Sequence, residues 1–139
     1  MAIAAHYQYR VTHTDAVYDT YTQAEAIEIA RQLALEHQQE IHITDNEGKT
    51  RARVVPYGDT SYIDYYLTDR IAMSDAIVQG KPRIVGTRIP VNIILDYLAQ
   101  GVSIEALTSE QYYPDLTPED ILACIAYAST LIPSKPTLP

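Results

Sequence analysis

The chain has 139 residues, 47% hydrophobic and 20% charged, enough apolar content for one domain or two very small ones and against a wholly disordered chain. Its net charge of −8 argues against a broad footprint on nucleic acid, because phosphate affinity comes largely from clustered Lys and Arg. The single cysteine, Cys124, excludes an internal disulfide and a cysteine-based zinc site.

Neither Trp nor Phe occurs, against twelve Tyr, a composition that suits half-exposed sheets and interfaces because each ring keeps a polar tip. The N-terminus has no apolar run long enough for a signal peptide, and no stretch approaches a membrane span. A soluble, cytoplasmic protein without membrane contact is expected.

Tyr7, Tyr9 and Val11 alternate with polar residues, the period of a half-buried strand, and Ala16 to Tyr21 is expected to pair with it across Thr14 and Asp15. Thr22 and Glu25 form a capping box ahead of a helix whose apolar face is Ala26, Ile27, Ala30, Leu33 and Ala34. Ile41 and Ile43 alternate with His42 and Thr44, and Asp45 to Gly48 turns the chain into a returning strand from Thr50 to Tyr57. The first unit is thus expected as a ββαββ module over residues 1–58. Residues 59–73 read as a linker, opened by Gly58 to Ser61, with a short helix from Tyr62 to Ala72.

From Ile77 to Val91 short apolar pairs are punctuated by Gly and Pro, as in a compact β-hairpin. A helix follows with Ile94, Leu95 and Leu98 on one face and Gly101 at its C-terminus. Ser103 caps a second helix through Leu107 and Tyr112, and Thr117 with Pro118 opens a third whose apolar stripe is Ile121, Leu122, Ile125, Ala128 and Leu131. Residues 74–132 are therefore expected as a hairpin plus three-helix module, and 133–139 as an extended tail. The fold class is α+β.

The run Gln79-Gly-Lys-Pro-Arg-Ile-Val-Gly-Thr-Arg-Ile-Pro-Val91, the Ser103 helix start, Tyr113-Pro114-Asp115-Leu116-Thr117 and the closing Ala126-Tyr127-Ala128 resemble the family catalogued as domain of unknown function 433. The resemblance covers about residues 71–130. It implies a winged or homeodomain-like helix-turn-helix module, similar to antitoxins encoded beside PIN-type ribonuclease toxins, which bind the toxin and their own operator. The approach to Tyr-Pro-Asp-Leu, Glu110 to Pro114, is longer or more aromatic than the family's usual one. Residues 6–57 are similar to small ββαββ domains of unknown function, a resemblance that carries over no functional residue.

Lys81, Arg83, Thr87 and Arg88 are the candidate DNA contacts, since guanidinium meets phosphate or a guanine edge bidentately. The plainer alternative pairs Arg88 with a carboxylate to fix the hairpin and uses Thr87 to cap a turn. Against DNA reading by the last helix stand Glu119 and Asp120 at its start and the absence of any basic side chain in it.

Tyr62, Tyr65, Tyr66, Tyr112 and Tyr113 are either core packing or a partner-binding surface. His6, His13, His37 and His42 lack the spacing of a metal site, and Cys124 has no nearby base. No Ser-His-Asp order or phosphate-binding glycine loop occurs, so no catalytic residue, metal or cofactor is expected. The expected protein is an antitoxin-like homodimer that binds a toxin-type partner, with DNA contact disfavoured by net charge. The alternative is an assembly adaptor with no nucleic-acid role.

Overall fold

Alternation from Tyr9 onward becomes strand β1 (Tyr9–His13), which reverses at Thr14, itself left-handed with φ 54°, into β2 (Ala16–Thr20). A computed structural model describes residues 7–74 and 76–133 of the chain. His6 and the tail beyond Pro133 lie outside the described residues.

Helix α1 (Gln23–His37) starts where the Thr22 hydroxyl accepts from the Glu25 backbone N–H at 3.2 Å, and it ends at Gln38 in the left-handed region. It buries Ala26, Ala30, Leu33 and Ala34. Small alanines let it sit close on the sheet. β3 (Ile41–Asp45) and β4 (Thr50–Tyr57) follow, and Asp45 Oδ1 pins their turn by accepting from the N–H groups of Glu47 and Lys49 at 2.9 and 3.0 Å.

The linker and short helix expected over residues 59–73 are replaced by two strands, β5 (Thr60–Tyr66) and β6 (Ile71–Met73). Tyr62, Asp64 and Tyr66 alternate with Ser61, Ile63 and Tyr65, which is a strand period, and aromatic and β-branched residues favour the pleated state. Gly58, at φ 63°, turns β4 tightly into β5. The segment expected as a linker with a short helix is a hairpin arm.

The expected hairpin over Ile77 to Val91 is present only in part. A single 3-10 turn at Val78–Gly80 precedes β7 (Arg83–Ile84), which pairs with β6, and Arg83 bridges to Pro90 beyond a tight turn. Prolines 82 and 90 remove the donors that a longer ladder would need.

Among the described residues, seven strands form one sheet in the order β2-β1-β3-β4-β5-β6-β7, every neighbouring pair antiparallel. Because side chains alternate, Val11, Ile43, Ala52, Val54 and Ile63 share the face that packs on α1. Cross-strand pairing carries the same face through Tyr65 and Met73 to Ile71 and Ile84.

Ile71 and Ile84 seed a second core with Ile94, Leu107, Leu116, Ile121 and Cys124 from α2 (Val91–Ala99), α3 (Ile104–Leu107), α4 (Pro118–Thr130) and the loop before α4. The fold is mixed α+β.

α3 is shorter than expected, because the Ser109 hydroxyl accepts from the Gln111 N–H and its own N–H goes to Ala106, turning the chain at once. The buried stripe of α4 also differs in phase. Ile121 and Cys124 are buried, whereas Leu122, Ile125 and Leu131 face outward, so of the expected stripe Ile121 faces the core and these three do not.

Candidate functional site

The other face of the sheet, by the same alternation, carries His42 on β3, Arg53 on β4, Asp64 on β5 and Arg83 on β7. Arg53 and Asp64 are cross-strand partners, and the two carboxylate oxygens of Asp64 are shared between two arginines. Arg53 Nε donates to Oδ2 at 2.6 Å, and Arg83 Nη2 donates to Oδ1 at 2.7 Å. The chain of contacts runs outward from both: Arg53 Nη1 donates to Glu40 Oε1 at 3.0 Å, which also meets His42 Nε2 at 2.9 Å, and Arg83 Nε donates to the Thr87 carbonyl at 3.0 Å.

Asp64 is 0% and Arg83 1% exposed, so this is a buried charge network. Burial opposes the Arg53 charge, yet hydrogen bonds from Arg53 to Asp64 and Glu40 outweigh it and raise its pKa. Burial also raises the pKa of the neighbouring Tyr66, with Asp64 and Glu40 adding to the effect against Arg53 and Arg83. Arg83 Nη1 is buried with no hydrogen-bond partner among the described residues.

The candidate DNA contacts therefore separate. Arg83 is withdrawn from the surface, because its guanidinium is the counter-charge of Asp64. Thr87 is taken up by the turn: its hydroxyl donates to the Ile84 carbonyl at 2.8 Å and accepts from the Ile89 N–H at 3.0 Å. Only Lys81 and Arg88 of the four stand exposed. The structural ion pair anticipated for the hairpin exists, but it belongs to Arg83 and not to Arg88.

The tyrosines divide as well. Tyr62 and Tyr66 are half-buried on the face of Asp64, and Tyr65 lies on the opposite face, 39% exposed. Tyr112 and Tyr113 pack edge-on against Tyr97, with ring centroids 5.1 and 6.4 Å away, as part of the second core. They do not join the others in one surface.

His13 and His37 stack with centroids 4.0 Å apart, and His13 Nε2 lies 3.0 Å from Gln39 Oε1. No group of three metal-ligating side chains occurs among the described residues. Cys124 is fully buried, and burial together with the Asp120 charge pushes its thiol up to about 11. No helix among the described residues is long and apolar enough to cross a membrane.

Asp64 escaped the sequence reading. A carboxylate between Ile63 and Tyr65, in register with an arginine on the preceding run, was the available signal. Assigning residues 62–72 to a helix hid it.

No curated protein and no solved structure matches the chain. Residues 6–54 match the family described as "Uncharacterized protein conserved in bacteria (DUF2188)". Residues 71–128, from β6 to the last turn of α4, match the family described as "Protein of unknown function (DUF433)".

Proposed function

We propose that the protein is an antitoxin-like regulator that acts by holding a partner protein, a PIN-type ribonuclease toxin being the partner that the family resemblance implies. The observation that carries this reading is how charge is distributed. Arg10, Arg51, Arg53, Arg70 and Arg83 are each held by a carboxylate of the same chain. Glu28, Glu36, Asp59, Asp96, Glu105 and Glu110 stand exposed.

A protein with five of its seven arginines paired to its own carboxylates and these six acids outward is matched to a basic partner surface. The RNA-binding cleft of a ribonuclease has that character, since it must attract phosphate. Operator contact, where it occurs, falls to Lys81 and Arg88. The α2–α4 segment would be helix-turn-helix-like, as the family resemblance implies, and α4 turns no basic side chain outward, so direct reading of bases by that helix is electrostatically penalised.

The test combines two titrations. Where a PIN-type ribonuclease frame adjoins the gene, the protein added to that nuclease should inhibit RNA cleavage stoichiometrically, and the absence of such a frame or a nuclease unaffected by excess protein would overturn the toxin reading. A mobility-shift titration of upstream DNA at low salt should give a shift that Lys81→Ala with Arg88→Ala weakens. Absence of both inhibition and shift would favour the second reading, an assembly adaptor with no nucleic-acid role, which the net charge of −8 also suits.

A further inference from the structure

Strand β6 pairs with β5 at Tyr65 and Tyr66 and then leaves it, because Ser74 turns the chain back through a bridge to Ile77. The earlier residues of β5 border a hollow of about 190 Å³ at this point. Its wall is built from three elements. Alternation puts Ser61, Ile63 and Tyr65 on the face that packs on α1, and Arg31 reaches the hollow from α1. Tyr62 and Ser74 close it at the edge of the sheet.

The polar groups around this hollow are short of acceptors. Arg31 Nη1 donates to Ser61 Oγ at 3.2 Å, and among the described residues no carboxylate pairs with Arg31. Ser74 is 2% exposed, and its Oγ accepts from the Ala76 N–H at 3.3 Å while its own proton meets no acceptor among the described residues. Tyr62 and Tyr65 bring two more hydroxyls. A guanidinium only donates, and each hydroxyl has one proton to give. A buried donor left without an acceptor is destabilising, and a ligand oxygen removes that penalty. The hollow is larger than a single water requires.

We propose that it binds a phosphate oxyanion, free or carried as a phosphoryl group on a larger molecule. Arg31 supplies the positive charge, and Ser61 and Ser74 supply hydroxyl donors. These donors come from α1, β5 and the end of β6, and so from different directions. A tetrahedral phosphate presents oxygens toward all of them. A planar carboxylate is best met by a whole guanidinium fork, and Arg31 already gives one arm of its fork to Ser61.

On a chain of net charge −8 there is no general attraction for anions, so saturable phosphate binding reports a built site. The bound anion joins α1, within residues 6–54, to Ser74, within residues 71–128, and links the two family-matched parts of the chain. Asp75, which follows Ser74 in sequence, lies outside the described residues, and the experiment includes it. The site does not rest on the toxin or operator reading, and fails or stands separately from them.

The experiment is isothermal titration calorimetry on the full chain at neutral pH in about 0.15 M chloride, which screens exposed charges, with phosphorus NMR linewidth as a readout independent of heat. The probes are inorganic phosphate, phenyl phosphate and acetate. Phosphate should saturate in the millimolar range or tighter, and acetate should bind at least about tenfold more weakly. Arg31→Gln should weaken phosphate more than about tenfold while the melt in chloride stays unchanged, because Arg31 is exposed. Arg31→Lys should keep part of the binding, since charge remains and the fork is lost. Ser74→Ala should weaken it about three- to tenfold, and Arg88→Gln, which does not line the hollow, should leave it as it is. Phenyl phosphate bound as tightly as phosphate supports a phosphoryl group on a larger molecule as the ligand, and its exclusion supports the free ion. No saturable phosphate binding, binding that survives Arg31→Gln, acetate bound as well as phosphate, or binding that appears only in Asp75→Asn would each overturn the proposal.

Discussion

Arg83 Nη2 donates to Asp64 Oδ1 at 2.7 Å inside the protein, and this pair ties the edge strand β7 to β5 within the sheet. Arg53 occupies the other oxygen of the same carboxylate, so one aspartate holds two strands from either side.

Removing one partner of a buried pair leaves the other charge without compensation, a loss of about 3–5 kcal/mol. Arg83→Ala should therefore lower the urea midpoint sharply, and Asp64→Ala at least as much because it strands two arginines. Arg88→Ala should stay within about 0.5 kcal/mol of wild type, as exposed substitutions do. The double variant Asp64→Leu with Arg83→Met should recover part of the loss. Equal urea midpoints for Arg83→Ala and Arg88→Ala would contradict the structural role of Arg83.

Cys124 should be chemically silent in the folded protein. Its thiol is raised to about 11 by burial and by Asp120, so thiolate is scarce at pH 8 and the sulfur is covered. A disulfide reagent should label it slowly in buffer and rapidly in denaturant. Labelling in buffer at the rate of free cysteine would count against this. Cys124→Ser should cost about 1–3 kcal/mol, since it buries a hydroxyl without a provided partner.

Acid should destabilise the protein through Asp19 and Asp45. The Arg10 hydrogen bond lowers the Asp19 pKa below 3.8. Burial opposes ionisation of Asp45, but the N–H groups of Lys49 and Glu47 and then Arg51 lower its pKa overall. Between the folded and unfolded values the unfolded chain binds more protons, so their contribution is complete above the unfolded pKa and is lost as pH falls through the folded one. The thermal midpoint should hold from pH 7 to about 5 and decline below about pH 4. Asp45→Asn should make that decline shallower, and an unchanged slope would argue against its part.

The start of α4 is fixed by a reciprocal cap: the Thr117 hydroxyl accepts from the Asp120 N–H at 3.3 Å, and Asp120 Oδ2 accepts from the Thr117 N–H at 2.9 Å. Asp120 Oδ1 also accepts from Arg70 Nη1 at 2.9 Å. Thr117→Ala should cost about 1 kcal/mol. Asp120→Ala should cost more, because it releases both the cap and the loop between β5 and β6. The opposite order, measured by chemical denaturation, would contradict the coupling.

Local chemistry was legible wherever a residue type does one thing. The Thr22 and Thr117 caps, the Asp45 turn, the alanine face of α1 and the Gly101 stop after α2 depend on neighbours within about four residues, and these elements lie where the residues place them. The β5 strand was not legible in the same way. Tyr62, Tyr65, Tyr66 and Asp69 fit a helical spacing while Tyr62, Asp64 and Tyr66 fit an alternating one, and the long-range partners Ala52 to Tyr57 on β4 decide between them.

The candidate site followed the same division. That the Lys81 to Arg88 segment is basic, and that α4 carries no basic residue, are properties of composition and could be read directly. Which arginine is free could not, because Arg83 and Arg88 differ only in what tertiary structure brings to them.

Residues 71–128 thus take their family motif, their caps and their acidic last helix from the sequence by itself. Tertiary structure decided that Arg83 is an internal counter-ion, that residues 60–66 and 71–73 are strands, and that Leu122 and Ile125 look outward. Each of these depends on a carboxylate, a hydrogen-bonding strand or an apolar surface contributed from far along the chain, and burial gives such contacts more weight than local preference.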